Sequence, residues 1–529
     1  MAYAGKRRRQ KGIIYMQTSY IIILVTIMAY LLLMLGIGLR FSKKNNTTDD
    51  FYLGGRKLGP FVTAMSAEAS DMSSWLLMGL PGVAYLSGVA DAGWTALGLA
   101  VGTYINWLIV AKRIRLYSHK AGNAITIPDF FSNRFRDDSH ALMCISALFI
   151  VIFFVPYTAS GFAACGKLFN SLFGIDYMVA MIISAIVIVG YTAMGGFLAA
   201  STTDFIQSMV MTLAIFVVLL FGVYSCGGVD VVAANAQELP GYLSMVKTHL
   251  VETNTAGNYG LLTIVSTMAW GLGYFGMPHI LLRFMAIEDE KKLTLSRRIA
   301  TVWVVISLAV AITIGIVGYS MSKAGVIPVL KGSQSETLIV KIADTISRHG
   351  VLAALVAGVI LAGILAATMS TADSQLLAAS SSVSENLIQK VFRLNISNKA
   401  GMLTARATVV VIAIIAAFIA RNPDSSVFGI VSFAWAGFGA AFGPVVLFSL
   451  FWRRTNKAGA LAGMITGGAM VFIWKFLVRP VGGVWDIYEL LPAFVLACVV
   501  IFVVSLLTAP PSEEITKEFD EVMLEVKNQ

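Results

Sequence analysis

The sequence predicts an all-α integral membrane protein with about thirteen transmembrane helices. Three observations predict it. Apolar residues make up 57% of the 529-residue chain and charged residues only 13%, against roughly 25% charge in soluble domains. The apolar residues gather in runs long enough to cross a bilayer core, about 20 residues each. Short polar loops join the runs, and the mean hydropathy is +0.79.

The runs lie near 17–39, 58–81, 91–111, 140–165, 177–199, 204–226, 259–283, 299–321, 351–380, 404–420, 426–452, 458–477 and 485–508. The first is too long for the apolar core of a cleavable signal and has no small-residue cleavage site. The polar stretch 334–349 reads as a short helix within a loop, and the acidic tail after Pro510 reads as a solvated helix. Net charge is +10, but the basic residues are scattered among loops. That distribution speaks to topology and anionic headgroups, not to nucleic acid. The four cysteines, Cys144, Cys165, Cys226 and Cys498, sit in or beside apolar runs without CxxC spacing, as buried thiols do.

Loop charge predicts orientation. With the N-terminus outside, the loops that fall inside hold most of the Lys and Arg. The cluster Lys6-Arg7-Arg8-Arg9 with Lys11 opposes this placement. Either the later loops outvote it, or translation begins at Met16.

Two runs are not plain spans. The second contains Ala64-Met65-Ser66-Ala67-Glu68-Ala69-Ser70-Asp71-Met72-Ser73-Ser74-Trp75, then Gly79 and Pro81-Gly82. Charge inside a membrane is expensive and usually functional. Serines compete with the helical backbone for hydrogen bonds, so this segment is expected to unwind and free carbonyl oxygens. The alternative is a helix end at the surface. The seventh run reads Trp270-Gly271-Leu272-Gly273-Tyr274-Phe275-Gly276-Met277-Pro278-His279. Glycines and a proline at that density break a helix, although a kink alone has the same composition.

Together the two breaks open two five-segment blocks, runs 2–6 and 7–11. An odd count inverts the second block in the membrane. Broken helices at matching positions of inverted repeats point to a transporter's midplane site. A third constellation is Ala366-Ala367-Thr368-Met369-Ser370-Thr371-Ala372-Asp373-Ser374-Gln375. The hydroxyls of Ser370 and Thr371, the carbonyl of Ala367, and freed carbonyls at Ala69 and Met72 make a five-oxygen set suited to a hard cation. Back-bonding of the hydroxyls within their own helix is the competing reading.

These residues carry a resemblance. The chain resembles the sodium:solute symporter family from about Asp50 to Thr508. The most specific pieces are Ser70 through Gly82, Trp270 through His279, Met369-Ser370-Thr371, and Phe433 through Pro444. The resemblance implies a LeuT-like, five-plus-five inverted-repeat core with a discontinuous first helix in each repeat. The expected organisation is a basic extension 1–16, an accessory helix 17–39, a first repeat 58–226, a second repeat 259–452, two accessory helices 458–508 and a cytoplasmic acidic tail 509–529. The resemblance also implies a bacterial cell membrane, an outside N-terminus and a co-transported sodium ion held by Ala69, Met72, Ala367, Ser370 and Thr371. It implies L-proline as the solute. Tyr157, Trp270, Tyr274 and Pro278 match its pocket, and Ser73 a neighbour tied to binding; Trp75 is placed with them. Asp71 matches a carboxylate needed for sodium-dependent transport, and Asp204 one linked to sodium handling.

Proline chemistry agrees with that pocket. An apolar ring suits aromatic faces, and an ammonium suits cation–π contact with Trp270 or Tyr274. Two residues depart from the pattern or extend it. Glu68 stands where relatives often carry a small residue; it is read as a second cation ligand, a proton site or the partner of a buried Arg. Asp373 and Ser374 offer either a further sodium site or a helix-stabilising hydrogen bond. His279 is expected to be a satisfied structural histidine. Competing functions are the same machine with another solute, such as pantothenate, a sugar acid or a betaine, and a membrane sensor. The tail after Thr508 leaves no room for a kinase. No nucleophile–base pair, metal-ligand cluster or phosphate loop suggests an enzyme.

Overall fold

The structure is a computed structural model that describes residues 2–42, 48–394 and 397–528. It is built of helices, and among the described residues ten are long and apolar enough to cross a membrane. Their exposed faces carry large apolar side chains, such as Ile21, Val25 and Leu32 on α1 (Ala2–Ser42). A soluble protein rarely presents patches of this kind, whereas lipid tails solvate them. The basic extension is not a separate coil, because α1 runs through it into the first span.

After α2 (Thr48–Leu53) comes the first broken segment. α3 (Pro60–Ser74) starts on a proline in its first turn, where the missing N–H costs nothing. It fails at Ser73, whose φ of 45° and ψ of −171° are far from helical. A π-turn, Trp75–Gly79, then leads into α4 (Leu80–Ser87). The predicted unwinding is therefore concentrated at one residue. The chain turns at Gly88 (φ 81°), where a Cβ would stand 2.0 Å from the Tyr242 carbonyl oxygen.

α5 (Val89–Ile105) passes through a π-turn, Asn106–Val110, into α6 (Ala111–Lys120). α7 (Ile127–Arg134), capped by Thr126, precedes α8 (Ala141–Phe173). The fifth and sixth predicted runs are joined by a kink instead of a loop. α9 (Tyr177–Ser225) bends at Gly196, with φ 67° and ψ 179°. α10 (Val229–Gln237) and a hairpin that sequence reading missed, β1 (Lys247–Leu250) against β2 (Thr255–Asn258), follow. The hairpin strands are only four residues each, too short to leave a readable alternation.

The second broken segment has different construction. α11 (Leu261–Met268) tightens into a 3₁₀ stretch, Ala269–Gly276, and restarts at Pro278 as α12 (Pro278–Ala286). Its glycines do more than break the helix. A Cβ on Gly271 would lie 2.2 Å from the Gly98 carbonyl oxygen, and one on Gly273 would lie 2.0 Å from Nε1 of Trp435. Close backbone approach is thus their role here.

α13 (Leu293–Lys323), the predicted loop helix α14 (Leu338–Ser347), α15 (Val351–Ser381) and α16 (Asn398–Ile419) follow. The last elements are α17 (Val427–Phe451), α18 (Lys457–Ile473), α19 (Leu490–Leu507) and the tail helix α20 (Glu513–Asn528). Burial sorts the spans. In its most apolar stretch α15 is 67% buried and α17 78%, whereas α1, α16 and α18 are each 28% buried. α15 packs on α3, α8 and α9, and α17 packs on the 3₁₀ stretch. The two broken segments therefore lie between the two most enclosed helices.

The tail corrects an expectation. α20 is helical as its pattern predicts, but it is docked and not solvated. Its stripe Ile515, Phe519 and Val522 is buried, at the spacing of an amphipathic face. Glu521 meets Lys120 at 2.7 Å, Glu518 meets Arg136 at 2.5 Å, and Asp520 meets Arg453 at 2.9 Å.

Candidate functional site

The break at Ser73 exposes the carbonyl end of α3, the negative end of its dipole. α15 presents Ser370 to it. Oγ of Ser370 donates to the Ala69 carbonyl at 2.8 Å and lies 3.2 Å from the Ala367 carbonyl. Next to it, the Thr371 hydroxyl is buried with no hydrogen-bond partner. The Met72 carbonyl accepts from the Trp75 N–H and keeps a second lone pair. Four of the five predicted sodium ligands thus meet, or flank, one α3–α15 junction. The donor set is all oxygen, and the orphaned Thr371 hydroxyl gives it an unused ligand. These residues fit a hard cation as cargo.

A few residues away, Asp71 is held by two tyrosines. Tyr274 donates to its Oδ2 at 2.6 Å, and Tyr157 donates to its backbone carbonyl at 3.1 Å. Asp71, Trp75, Tyr157, Trp270 and Trp435 line a small cavity. Its volume is about 10 Å³, about enough for one water. Aromatic rings close it. Trp75 and Trp270 stand 5.6 Å apart, Trp270 stacks on Tyr488 at 5.2 Å, and Phe428 lies 5.4 Å from Trp270. In this conformation the cavity is shut.

Three predicted pocket residues are not in this lining, Tyr274 reaching it only through its bond to Asp71. Pro278 opens α12 and does not line the cavity. Ser73 uses its Oγ to accept the Trp75 N–H at 3.0 Å, so its side chain stabilises the break. Sequence reading missed Trp435, whose Nε1 donates to the Trp270 carbonyl at 2.7 Å, and Tyr488, which donates to the Ser432 carbonyl at 2.6 Å. Trp435 lies inside the specific run Phe433 through Pro444, and that run was the available signal. Tyr488 lies outside the repeats and left none.

Asp204 and Asp373 belong to a separate buried network centred on Arg283, a residue sequence reading also missed. Asp204 Oδ2 accepts from Ser66 at 2.6 Å and from Arg283 at 3.1 Å. Arg283 also donates to Ser66 at 3.0 Å, to Ser374 at 2.5 Å and to the His279 carbonyl at 2.9 Å. Ser374 in turn lies 3.2 Å from Asp373 Oδ1 and donates to the Ser370 carbonyl at 2.9 Å. Asp373 and Ser374 are hydrogen-bonded to each other in this structure. His279 is buried, meets the Ser70 backbone, and packs its ring 5.6 Å from Phe154.

Glu68 does not pair with a buried Arg. Its Oε1 accepts from Trp107 Nε1 at 2.8 Å, and its Oε2 is buried without a partner.

Helices broken mid-segment around buried oxygens and an aromatic pocket define a secondary transporter with a midplane site. The chain belongs to the sodium:solute symporter family, whose model matches residues 51–467. It is accordingly a sodium-coupled, multi-pass membrane transporter and not an enzyme. It is 42% identical over 501 residues to the sodium/proline symporter of Haemophilus influenzae, covering 94% of this chain and 97% of that one. It is 42% identical over 494 residues to the osmoregulated proline transporter OpuE of Bacillus subtilis, covering 93% and 96%. The sodium/proline symporter of Escherichia coli is 41% identical over 502 residues, covering 94% and 95%. Among solved structures, a sodium-coupled sialic acid symporter in a substrate-bound outward-open state superposes with a TM-score of 0.76 at 17% identity. The match covers 93% of this chain and 99% of that one. A nucleobase-cation-symport-1 family transporter in a closed conformation superposes with a TM-score of 0.52 at 13% identity, covering 89% and 98%. Both likenesses concern the fold.

Proposed function

We propose that this chain carries L-proline into a bacterial cell by symport with sodium, through alternating access. The observation that carries the reading is the direct hydrogen bond from Ser370 to the Ala69 carbonyl, one turn from the Asp71 pocket. It makes the α3–α15 junction and the aromatic pocket parts of one unit. Curated relatives of similar length, named for proline, support the choice of solute.

Sodium takes oxygens from Ala69, Met72, Ala367, Ser370 and Thr371, tying the broken α3 to α15. Proline lies against Trp270, Tyr274, Tyr157 and Trp75, with its ammonium on an aromatic face. Asp71 links the two sites, because its neighbours supply sodium ligands and its carboxylate meets Tyr274. Sodium then favours the conformation that accepts proline, a differential affinity that linkage makes reciprocal. Asp204, held by Arg283, keeps α3, α9 and α12 in register beneath the sodium site. Runs 58–226 and 259–452 act as the two inverted repeats, with 17–39 and 458–508 accessory. Loop charge supports an outside N-terminus and a cytoplasmic tail.

The test is uptake of labelled proline into proteoliposomes under imposed sodium, lithium or proton gradients. Uptake should follow the sodium gradient, and unlabelled proline should compete better than pantothenate or betaine. Uptake indifferent to sodium would remove the coupling; stronger competition by pantothenate or betaine would remove the solute.

A further inference from the structure

Glu68 has no place in the unit described so far. It sits at the i position and Asp71 at i+3 on α3, so the two carboxylates share one face. Both are buried. Among the described residues no Lys or Arg forms an ion pair with either of them. The Arg283 guanidinium serves Asp204 instead.

The face opposite is built from α5 and its π-turn. Trp107 reaches Glu68 Oε1. Asn106 precedes it, and Thr103 lies one turn earlier on the same side. Thr103 stands beside Tyr274, whose hydroxyl donates to Asp71. Asn106 donates through Nδ2 to the Tyr274 carbonyl at 3.1 Å. Two side-chain oxygens of this cluster are buried without partners, Glu68 Oε2 and Asn106 Oδ1, and Thr103 Oγ1 meets only the Tyr274 hydroxyl. Buried polar atoms are nearly always satisfied, and exceptions ask for a ligand. The π-turn beginning at Asn106 interrupts α5 at this point, as π-turns often do at functional sites.

We propose that Glu68, Asp71, Thr103 and Asn106 form a second cation site, which takes a sodium ion between α3 and α5. The donors are hard oxygens, and two carboxylates compensate the charge. Two uncompensated carboxylates in a sealed segment are costly, and the five-oxygen junction at Ser370 supplies one cation only. The second site lies on the α5 side of the broken α3 and the first on its α15 side, so both ions act on the same break. The inference adds to sodium coupling and does not replace it.

The test is direct ²²Na⁺ binding to the purified full-length protein without solute, together with the sodium dependence of proline uptake. The wild type should bind about two sodium ions per chain, with sigmoidal activation. Glu68→Gln preserves the acceptor for Trp107 and should bind about one, with hyperbolic activation. Thr103→Val, close in shape, should weaken the second ion about tenfold, the worth of one ligand contact. One sodium per wild-type chain overturns the proposal. So does unchanged stoichiometry in Glu68→Gln, or internal acidification during wild-type uptake that the variant lacks, which would make Glu68 a proton carrier. Binding of two ions without sodium-driven uptake would leave this site standing and remove the coupling reading instead.

Discussion

Two buried pairs of carboxylates lie within one core and are treated in opposite ways. Asp204 and Asp373 surround a fixed cation: Arg283 bonds to Asp204, Ser66 and Ser374 at 3.1, 3.0 and 2.5 Å. Asp71 and Glu68 receive only neutral donors, from Tyr274 and Trp107 at 2.6 and 2.8 Å. A permanent guanidinium would make the first pair a structural clamp. The second pair has no built-in cation, which is what the proposed sodium sites require. The contrast separates carboxylates that the protein neutralises with its own arginine from carboxylates that it leaves to neutral donors.

Five experiments break or sharpen that contrast. The largest effect belongs to the clamp. Arg283→Met strands Asp204 beside apolar helices and should cost about 3–5 kcal/mol of stability, read as a lowered melting temperature in detergent. If the protein melts normally, the network is not a clamp. Asp71→Asn should leave melting nearly unchanged while weakening apparent sodium affinity about 10–100-fold, the range seen when a carboxylate around a metal is lost. A stability loss as large as that of Arg283→Met would erase the distinction between the pairs. Thr371→Ala removes one oxygen and should weaken sodium by about tenfold, measured by ²²Na⁺ binding. Trp270→Ala should weaken proline about tenfold through its lost aromatic face and hardly move sodium; an unchanged proline affinity would misplace the pocket.

The smallest effect is at the tail, far from either pair. Arg136→Ala should cost about 0.5–1 kcal/mol of tail docking, read as faster proteolysis of α20. The tail also has a defined pH range. Lys120 holds the Glu521 carboxyl below its ordinary value of 4.5, so this contact is present above that value and lost as pH falls through the lowered one. Glu521 raises Lys120 above 10.5, so the contact is present below that value and lost as pH rises through the raised one. Proteolysis of the tail should therefore be flat across neutral pH and rise at both extremes.

Much of the architecture could be read beforehand because the bilayer imposes a coarse grammar. Apolar runs of spanning length read as helices, and polar or glycine-rich interruptions read as breaks. The positions of Ser73 and Gly271–Gly276 were visible for that reason. Local pattern could not show who meets whom. Arg283 looked like one more basic residue at the end of an apolar run, and only the fold turns it inward between Asp204 and Ser374. Trp107 gave no sign of pairing with Glu68, because residues 39 apart in sequence carry no mutual signal. The docking of α20 was hidden likewise: its stripe of Ile515, Phe519 and Val522 announces an amphipathic helix but not the surface that receives it.

Ser73 returns in a different light when populations are considered. Its φ of 45° with ψ near 180° is a conformation that side-chain-bearing residues avoid, at a cost of about 1–3 kcal/mol. That energy biases every equilibrium in which the break straightens or re-forms. Each 1.4 kcal/mol changes a two-state ratio about tenfold. A glycine at this position removes the bias, at the smaller loss of the Oγ that accepts the Trp75 N–H, without deleting any oxygen ligand of the sodium junction. In Ser73→Gly the closed arrangement seen here should gain weight over its alternatives. The turnover of the transporter should then slow at saturating sodium, with the loaded ion harder to release than to bind.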